Sequence, residues 1–202
     1  DAAQGYRLWE QLGDRLAEIM ADPMERAASS LGRTRLDEPL DVGSRLRLLS
    51  VQAHRADGGT PSGYVALVAD AILEHEKTHL LDARRFLPLA DNLPAKVWLL
   101  LRLGFSISRV EAWLEERAQL RALVTARDPR IPLAVACGFL PVSTGEAVAH
   151  AVGYASMVRV LVEELNRSAS EYAAIDASRN LLQQLARLSV EELRQLGRRV
   201  MD

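Results

Sequence analysis

Two of the four histidines in this 202-residue chain lie four residues apart, in the segment HEKTH at residues 75–79. Side chains four residues apart lie on the same face of an α-helix, so His75 and His79 can both reach one metal ion. Glu76 lies one step around the helix, where its carboxylate can reach a water molecule without binding the metal. This is the spacing of the H-E-x-x-H motif, which predicts a Zn²⁺ site with two histidine ligands and Glu76 as general base.

A carboxylate from a second helix would complete the ligand set. The helix predicted over residues 109–126 has one apolar face, and Glu111 and Glu115 lie at an edge of that face. Glu116 lies on the other side of the helix. The spacing therefore favours Glu115 or Glu111 as the third ligand, and the alternative for each acid is a solvated charge on an amphipathic helix.

The segment HEKTH on an apolar helix resembles the zincin superfamily of zinc metallopeptidases. In the gluzincin branch of that superfamily, a glutamate on a later helix is the third ligand, often within the pattern E-x-x-A-D. Residues 115–119 read EERAQ, which matches E-x-x-A but has Gln119 where aspartate is usual. The resemblance covers residues 62–126 and implies Glu115 as third ligand, with Glu111 second and Glu116 as a further alternative.

The chemistry expected of such a site is hydrolysis of an amide bond in a peptide or protein substrate. Two neutral histidines and one carboxylate leave a fourth zinc position open for water, whose pKa falls to about 7 there. Glu76 would take a proton from that water and pass it to the leaving group, while zinc polarises the scissile carbonyl.

Further residues could support this reaction. On the helix predicted over residues 145–167, His150 and Tyr154 recur four apart, and we expect them to stabilise the oxyanion formed during attack. The alternative is that they form the solvated side of that helix. Asp82, one turn after His79, is expected either to orient an imidazole or to pair with Arg84 or Arg85.

Three other interpretations of the motif stay open. The histidines could be partly buried side chains that hydrogen-bond to carbonyl or carboxylate groups. Residues 76–79 also form an E-x-x-H unit of the kind that helical di-iron carboxylate proteins use twice, although no second unit exists in this chain. The third alternative is a non-catalytic helical module that binds a partner through an apolar face.

Composition and charge restrict the class of protein. Hydrophobic residues make up 49% of the chain and aromatic residues only 5%, which favours a core of Leu, Val and Ala packed between helices. A net charge of -2 argues against a nucleic-acid-binding protein. Cys137 is the sole cysteine, so neither an internal disulfide nor a thiolate zinc cluster can form. No apolar run is long enough to span a bilayer.

These observations predict a mainly α, single helical domain over residues 1–202, with zinc-site helices in 62–126 and a C-terminal helical part in 127–202. The expected helices span 5–31, 62–87, 94–103, 108–126, 145–167 and 169–187, followed by a last helix capped by Ser189 and Glu192. A second capping box is expected at Ser108 and Glu111.

Two short segments are less regular. Residues 44–56 fit either a helix or a short strand, and residues 131–138 form a short apolar segment. The zincin resemblance implies a small sheet before the motif helix, for which only residues 45–53 are available. The chain begins with Asp1, so we expect a soluble protein that is cytoplasmic or exported after loss of an N-terminal segment. Its oligomeric state is left open.

Overall fold

A computed structural model describes residues 41–86, 97, 101, 104, 106–140 and 149–201 of the chain. This part is mainly α-helical and contains no strand, which confirms the predicted fold class. Its helices are α1 (Val42–Ala56), α2 (Pro61–Phe86), α3 (Ile107–Thr125), α4 (Arg130–Gly138), α5 (Ala149–Arg167), α6 (Leu181–Gln184) and α7 (Val190–Met201). Two short 3-10 turns span Ala169–Glu171 and Leu185–Arg187. None of these helices is long and apolar enough to cross a membrane.

The alternative of a strand within residues 44–56 is wrong, because the whole segment belongs to α1. The carboxylate of Asp41 starts this helix by accepting hydrogen bonds from the backbone N–H of Ser44 at 2.9 Å and from its hydroxyl at 2.7 Å. The buried residues of this helix include Val42, Leu46 and Ser50, which are four residues apart and share one helical face. Residues 45–53 therefore provide no edge strand for a substrate.

Of the two capping boxes predicted from the sequence, the structure confirms one and contradicts the other. Ser189 and Glu192 cap α7 reciprocally. The backbone N–H of Ser189 donates to the Glu192 carboxylate at 2.7 Å, and the backbone N–H of Glu192 donates to the Ser189 hydroxyl at 3.2 Å. The box predicted at Ser108 is wrong, because Ser106 caps α3 and accepts a hydrogen bond from the N–H of Arg109 at 3.4 Å. Ser106 has the extended backbone that a capping residue needs.

The helix predicted over 169–187 is also wrong, because this segment forms 3-10 turns, a loop and the single-turn α6. The carboxylate of Asp176 accepts bonds from the backbone and hydroxyl of Ser178, and Asn180 caps α6. Short polar side chains that bond nearby backbone groups favour turns over continuous helix. Gln184 fixes the loop by bonding both the N–H and the C=O of Asp176 at 2.8 Å.

Two predictions fall wholly or largely outside the described residues. The helix over 5–31 lies outside them, so the single domain over 1–202 stays a prediction. Of the helix over 94–103, only Val97 and Leu101 are described, and both are helical. Gly104 follows with a φ of 65°, a left-handed conformation that favours glycine after a helix end.

Helix α3 lies at the centre of the described fold and packs against α2, α4, α5 and α7. The side chains that are almost completely buried in the main core are aliphatic, as the composition predicts: Leu46, Leu123, Leu133, Met157, Leu161, Leu165, Leu185, Leu193 and Leu196. This core fixes α3 and α5 against each other and so sets the position of any polar side chain between α2, α3 and α5.

Candidate metal centre

The inner face of α2 changes from apolar to polar along the helix. Its buried side chains are Tyr64, Ala71, His75, Thr78 and Asp82, which follow helical spacing. Ile72 on the same helix is 51% exposed. The burial of His75 brings the motif against α3.

His75, His79 and Glu115 form a group whose ligand atoms all lie within 4.8 Å of one another. The two Nε2 atoms are 3.0 Å apart, and the carboxylate oxygens of Glu115 lie 3.3 Å from Nε2 of His75 and 3.4 Å from Nε2 of His79. Two ligands of a tetrahedral zinc, each bonded at 2.0–2.1 Å, are about 3.3 Å apart. Each nitrogen therefore lies close to this distance from the other nitrogen and from one oxygen of Glu115, which is Oε2 for His75 and Oε1 for His79.

Glu115 is the one of the three candidate acids that meets both imidazoles. Glu111 is exposed on α3, and Glu116 lines a cavity of about 760 Å³ together with Trp113 and Arg117. Oε2 of Glu115 is buried and accepts no hydrogen bond. A buried carboxylate oxygen without such a bond is costly, and a bound cation would remove that cost.

Helix α5 approaches α3 very closely at the level of Glu115. A Cβ atom added to Gly153 would lie 2.5 Å from the carbonyl oxygen of Ala112 and 2.7 Å from Cβ of Glu115. Only glycine fits this contact without movement of a helix. The sequence leaves open whether Gly153 permits close packing or is merely tolerated, and the structure assigns it to packing.

Gln119 is a residue of the site that the sequence analysis missed. Its Oε1 lies 2.9 Å from Nδ1 of His75, and its Nε2 donates a hydrogen bond of 2.7 Å to the carbonyl oxygen of Pro132. Its position one turn after Glu115, on the same face of α3, was the available signal. Gln119 is thus the residue that contacts the outer nitrogen of an imidazole.

Asp82, which was expected to orient an imidazole, has a different partner. Its two oxygens accept hydrogen bonds of 3.1 and 3.2 Å from the guanidinium of Arg117 on α3. Arg117 also lies over the ring of Trp113, 4.7 Å from its centroid. The orienting role predicted for Asp82 is therefore wrong, and the residue instead ties α2 to α3 beside the site.

The residues predicted to assist from α5 lie next to the group. Nε2 of His150, which is about half exposed, is 3.3 Å from Oε2 of Glu115. The ring of Tyr154 is edge-on to the rings of His75 and His150, at centroid distances of 6.1 and 5.8 Å. Both side chains can therefore line a reaction site at the group, and Glu76 on α2 is exposed.

Burial sets the protonation of two of these groups. It is the main cause that raises the pKa of Tyr154 to about 12, and the charges of Glu115 and Glu76 add to the effect. The phenol is therefore protonated at neutral pH and can donate a hydrogen bond. Burial also lowers the pKa of His75, helped by the neighbouring His79, against the opposing influence of Glu115. A neutral imidazole at pH 7 is the form that binds a metal.

No protein-family model, curated protein or solved structure matches this chain. Similarity to known proteins therefore assigns neither a family nor an activity. Within the described residues, the group of His75, His79 and Glu115 is the one set of three side chains that could hold a metal ion. It contains a single carboxylate, unlike the several acids of a di-iron carboxylate site.

Proposed function

We propose that the chain is a zinc-dependent hydrolase that cleaves peptide bonds, with His75, His79 and Glu115 as ligands. One observation carries the proposal: two imidazole nitrogens and the carboxylate of Glu115 lie 3.0–3.4 Å apart, and its buried oxygen Oε2 has no hydrogen bond. Three protein ligands leave a fourth position for water, as in zinc enzymes and unlike closed structural sites.

In this proposal the chain's own side chains move the protons. Zinc, when bound, supplies Lewis acidity that favours attack by water on a carbonyl carbon. Glu76 takes a proton from the attacking water and delivers it to the departing amine. Its negative charge opposes the burial that lowers the pKa of His75 and adds to the burial that raises the pKa of Tyr154, which supports its place at the site.

The remaining role is stabilisation of the negative oxygen that develops on the substrate. Tyr154 is suited to donate a hydrogen bond to it, because its phenol keeps its proton at neutral pH. His150 lies on the exposed side of Glu115, where a substrate would enter, and its imidazole can serve as a second donor. We therefore place the substrate between α2 and the first turns of α5.

The proposal is tested by elemental analysis of the purified protein and by assay on a mixture of peptides. We expect about one zinc per chain in the native protein and none in a variant with His75→Ala and His79→Ala. The control is His54→Ala, because His54 bonds the carbonyl of Thr60 in the turn after α1 and should not affect zinc. Glu76→Gln should retain zinc and lose peptide hydrolysis.

Two results would contradict the proposal. A native protein that binds no zinc after incubation with excess metal would remove the site. Hydrolysis that survives in Glu76→Gln would remove Glu76 as the base, although the metal ligands would stand.

The competing candidate is a non-catalytic helical module that binds a partner. The observation that favours it is a set of large apolar side chains on α2 that are at least half exposed: Ile72, Leu73, Leu80 and Leu81. Under this alternative the protein binds no metal, and replacement of both histidines leaves its behaviour unchanged. The elemental analysis therefore discriminates between the two functions.

A further inference from the structure

We propose that Gln119 is a positioning residue that fixes the tautomer of His75 with the proton on Nδ1, so that the lone pair on Nε2 faces Glu115 and His79. The inference deepens the proposed zinc site and rests on it for its functional meaning. It concerns the metal-free protein as well, where the tautomer can be observed directly.

The direction of the hydrogen bonds carries the argument. The carbonyl oxygen of Pro132 can only accept, so the group of Gln119 that lies 2.7 Å from it must be the amide NH₂. The other end of the side chain is then the carbonyl oxygen, which lies 2.9 Å from Nδ1 of His75. An amide oxygen can only accept, and so Nδ1 must carry the proton.

The surroundings hold Gln119 in this orientation. The side chain is 4% exposed, so rotation of its amide would bring two acceptors face to face at Pro132 without water to separate them. A buried acceptor that loses its donor costs about 1–3 kcal/mol. The backbone of α4 therefore determines, through Gln119, which nitrogen of His75 is protonated.

A consequence follows for the inner nitrogens. With its proton on Nδ1, neutral His75 has only a lone pair on Nε2, and Nε2 of His79 lies 3.0 Å from it. Without a cation, His79 must place a proton between the two nitrogens. A metal ion replaces that proton, and only His79 has to change its tautomer when the ion binds.

The test is ¹⁵N NMR of the metal-free protein, in which the chemical shifts of the two ring nitrogens identify the tautomer. We expect the proton on Nδ1 of His75 in the native protein and a mixture of tautomers in Gln119→Met. Zinc affinity of the methionine variant should fall about 10- to 100-fold, the usual cost of losing an outer partner of a ligand. Gln119→Glu should restore the Nδ1 tautomer, because one carboxyl oxygen can still accept from Nδ1, while the other must carry a proton to donate to the carbonyl of Pro132.

Gln184→Met is the matched control for the loss of a buried glutamine. Gln184 is similarly buried and also bonds backbone groups with both ends of its amide, but it lies in the α6 region. We expect this variant to lose stability without a change in the His75 tautomer or in zinc affinity.

Two outcomes would overturn the inference: a proton on Nε2 of His75 in the native protein, or an unchanged tautomer in Gln119→Met. Failure of the proposed function looks different. In that case the native protein shows the Nδ1 tautomer and the methionine variant loses it, but neither protein binds zinc.

Discussion

Asp82 is 4% exposed, and within the described part of the chain its charge is paired with the guanidinium of Arg117. The two residues are unequal, since the side chain of Arg117 is partly exposed and can return to water when its partner is removed. Arg117→Met keeps an aliphatic stem beside Trp113 but leaves the buried carboxylate without a counter-charge. We expect it to lower the free energy of unfolding by about 3 kcal/mol, at the low end of the range for a broken buried pair.

Asp82→Asn is the matched variant at the other end of this pair. Its amide oxygen still accepts a hydrogen bond from Arg117 and no charge is left buried, so the loss should be clearly smaller. Urea unfolding of the two variants and the native protein measures the difference. If both variants lost the same free energy of unfolding, the cost would not come from a buried carboxylate left without its counter-charge.

At the same scale, the residues of the site differ in how far the sequence could predict them. His75 and His79 follow from helical spacing alone, whereas the edge of the apolar face offers both Glu115 and Glu111, and the resemblance to gluzincins implies Glu115. The contacts of Gln119 with Pro132 and of Asp82 with Arg117 depend on how separate helices are placed. Helical spacing reports on one helix at a time and cannot predict such contacts.

Among the elements, helices with one apolar face and a local cap could be predicted, and α7 with its Ser189–Glu192 box is the clearest case. Prediction failed over 169–187, where polar side chains compete with the backbone for hydrogen bonds. The close contact between α5 and α3 depends on how two helices pack, so the sequence of one helix does not predict it. A glycine within a helix does not show from the sequence whether a neighbour needs the space.

Gly153→Ala tests that contact. The added methyl group would overlap the backbone of α3 and Cβ of Glu115, so we expect a loss of about 1–3 kcal/mol in the free energy of unfolding. Zinc affinity should fall as well, because the proposed ligand Glu115 moves with α3. The control is Gly138→Ala at the end of α4, where the nearest atom is the end of the Arg47 side chain at 3.4 Å. Urea unfolding and zinc titration of both variants should separate them; equal effects would contradict the packing role.

In the molecule as a whole, burial in the described core favours the neutral forms of one cysteine and two tyrosines. Burial raises the pKa of Cys137 from 9.0 to about 12 and that of Tyr154 from 10.0 to about 12, and it also raises the pKa of Tyr64. In the unfolded chain these groups lose their protons at the lower, ordinary pKa values. Folding therefore retains protons that the unfolded state releases, and stability must fall as the pH rises.

The sign and the pH window of this effect can be measured on the cysteine. The contribution of the neutral Cys137 thiol to the free energy of unfolding is fully present below pH 9.0. It is lost progressively as the pH rises towards about 12. Between pH 9 and pH 10, Cys137 is the only one of these three groups whose unfolded form has passed its ordinary pKa. Urea unfolding under reducing conditions should therefore show that the free energy of unfolding of the native protein falls between pH 9 and pH 10. The fall should be smaller in Cys137→Ala. An identical decline in the variant would mean that the thiol of Cys137 is not held neutral by the core.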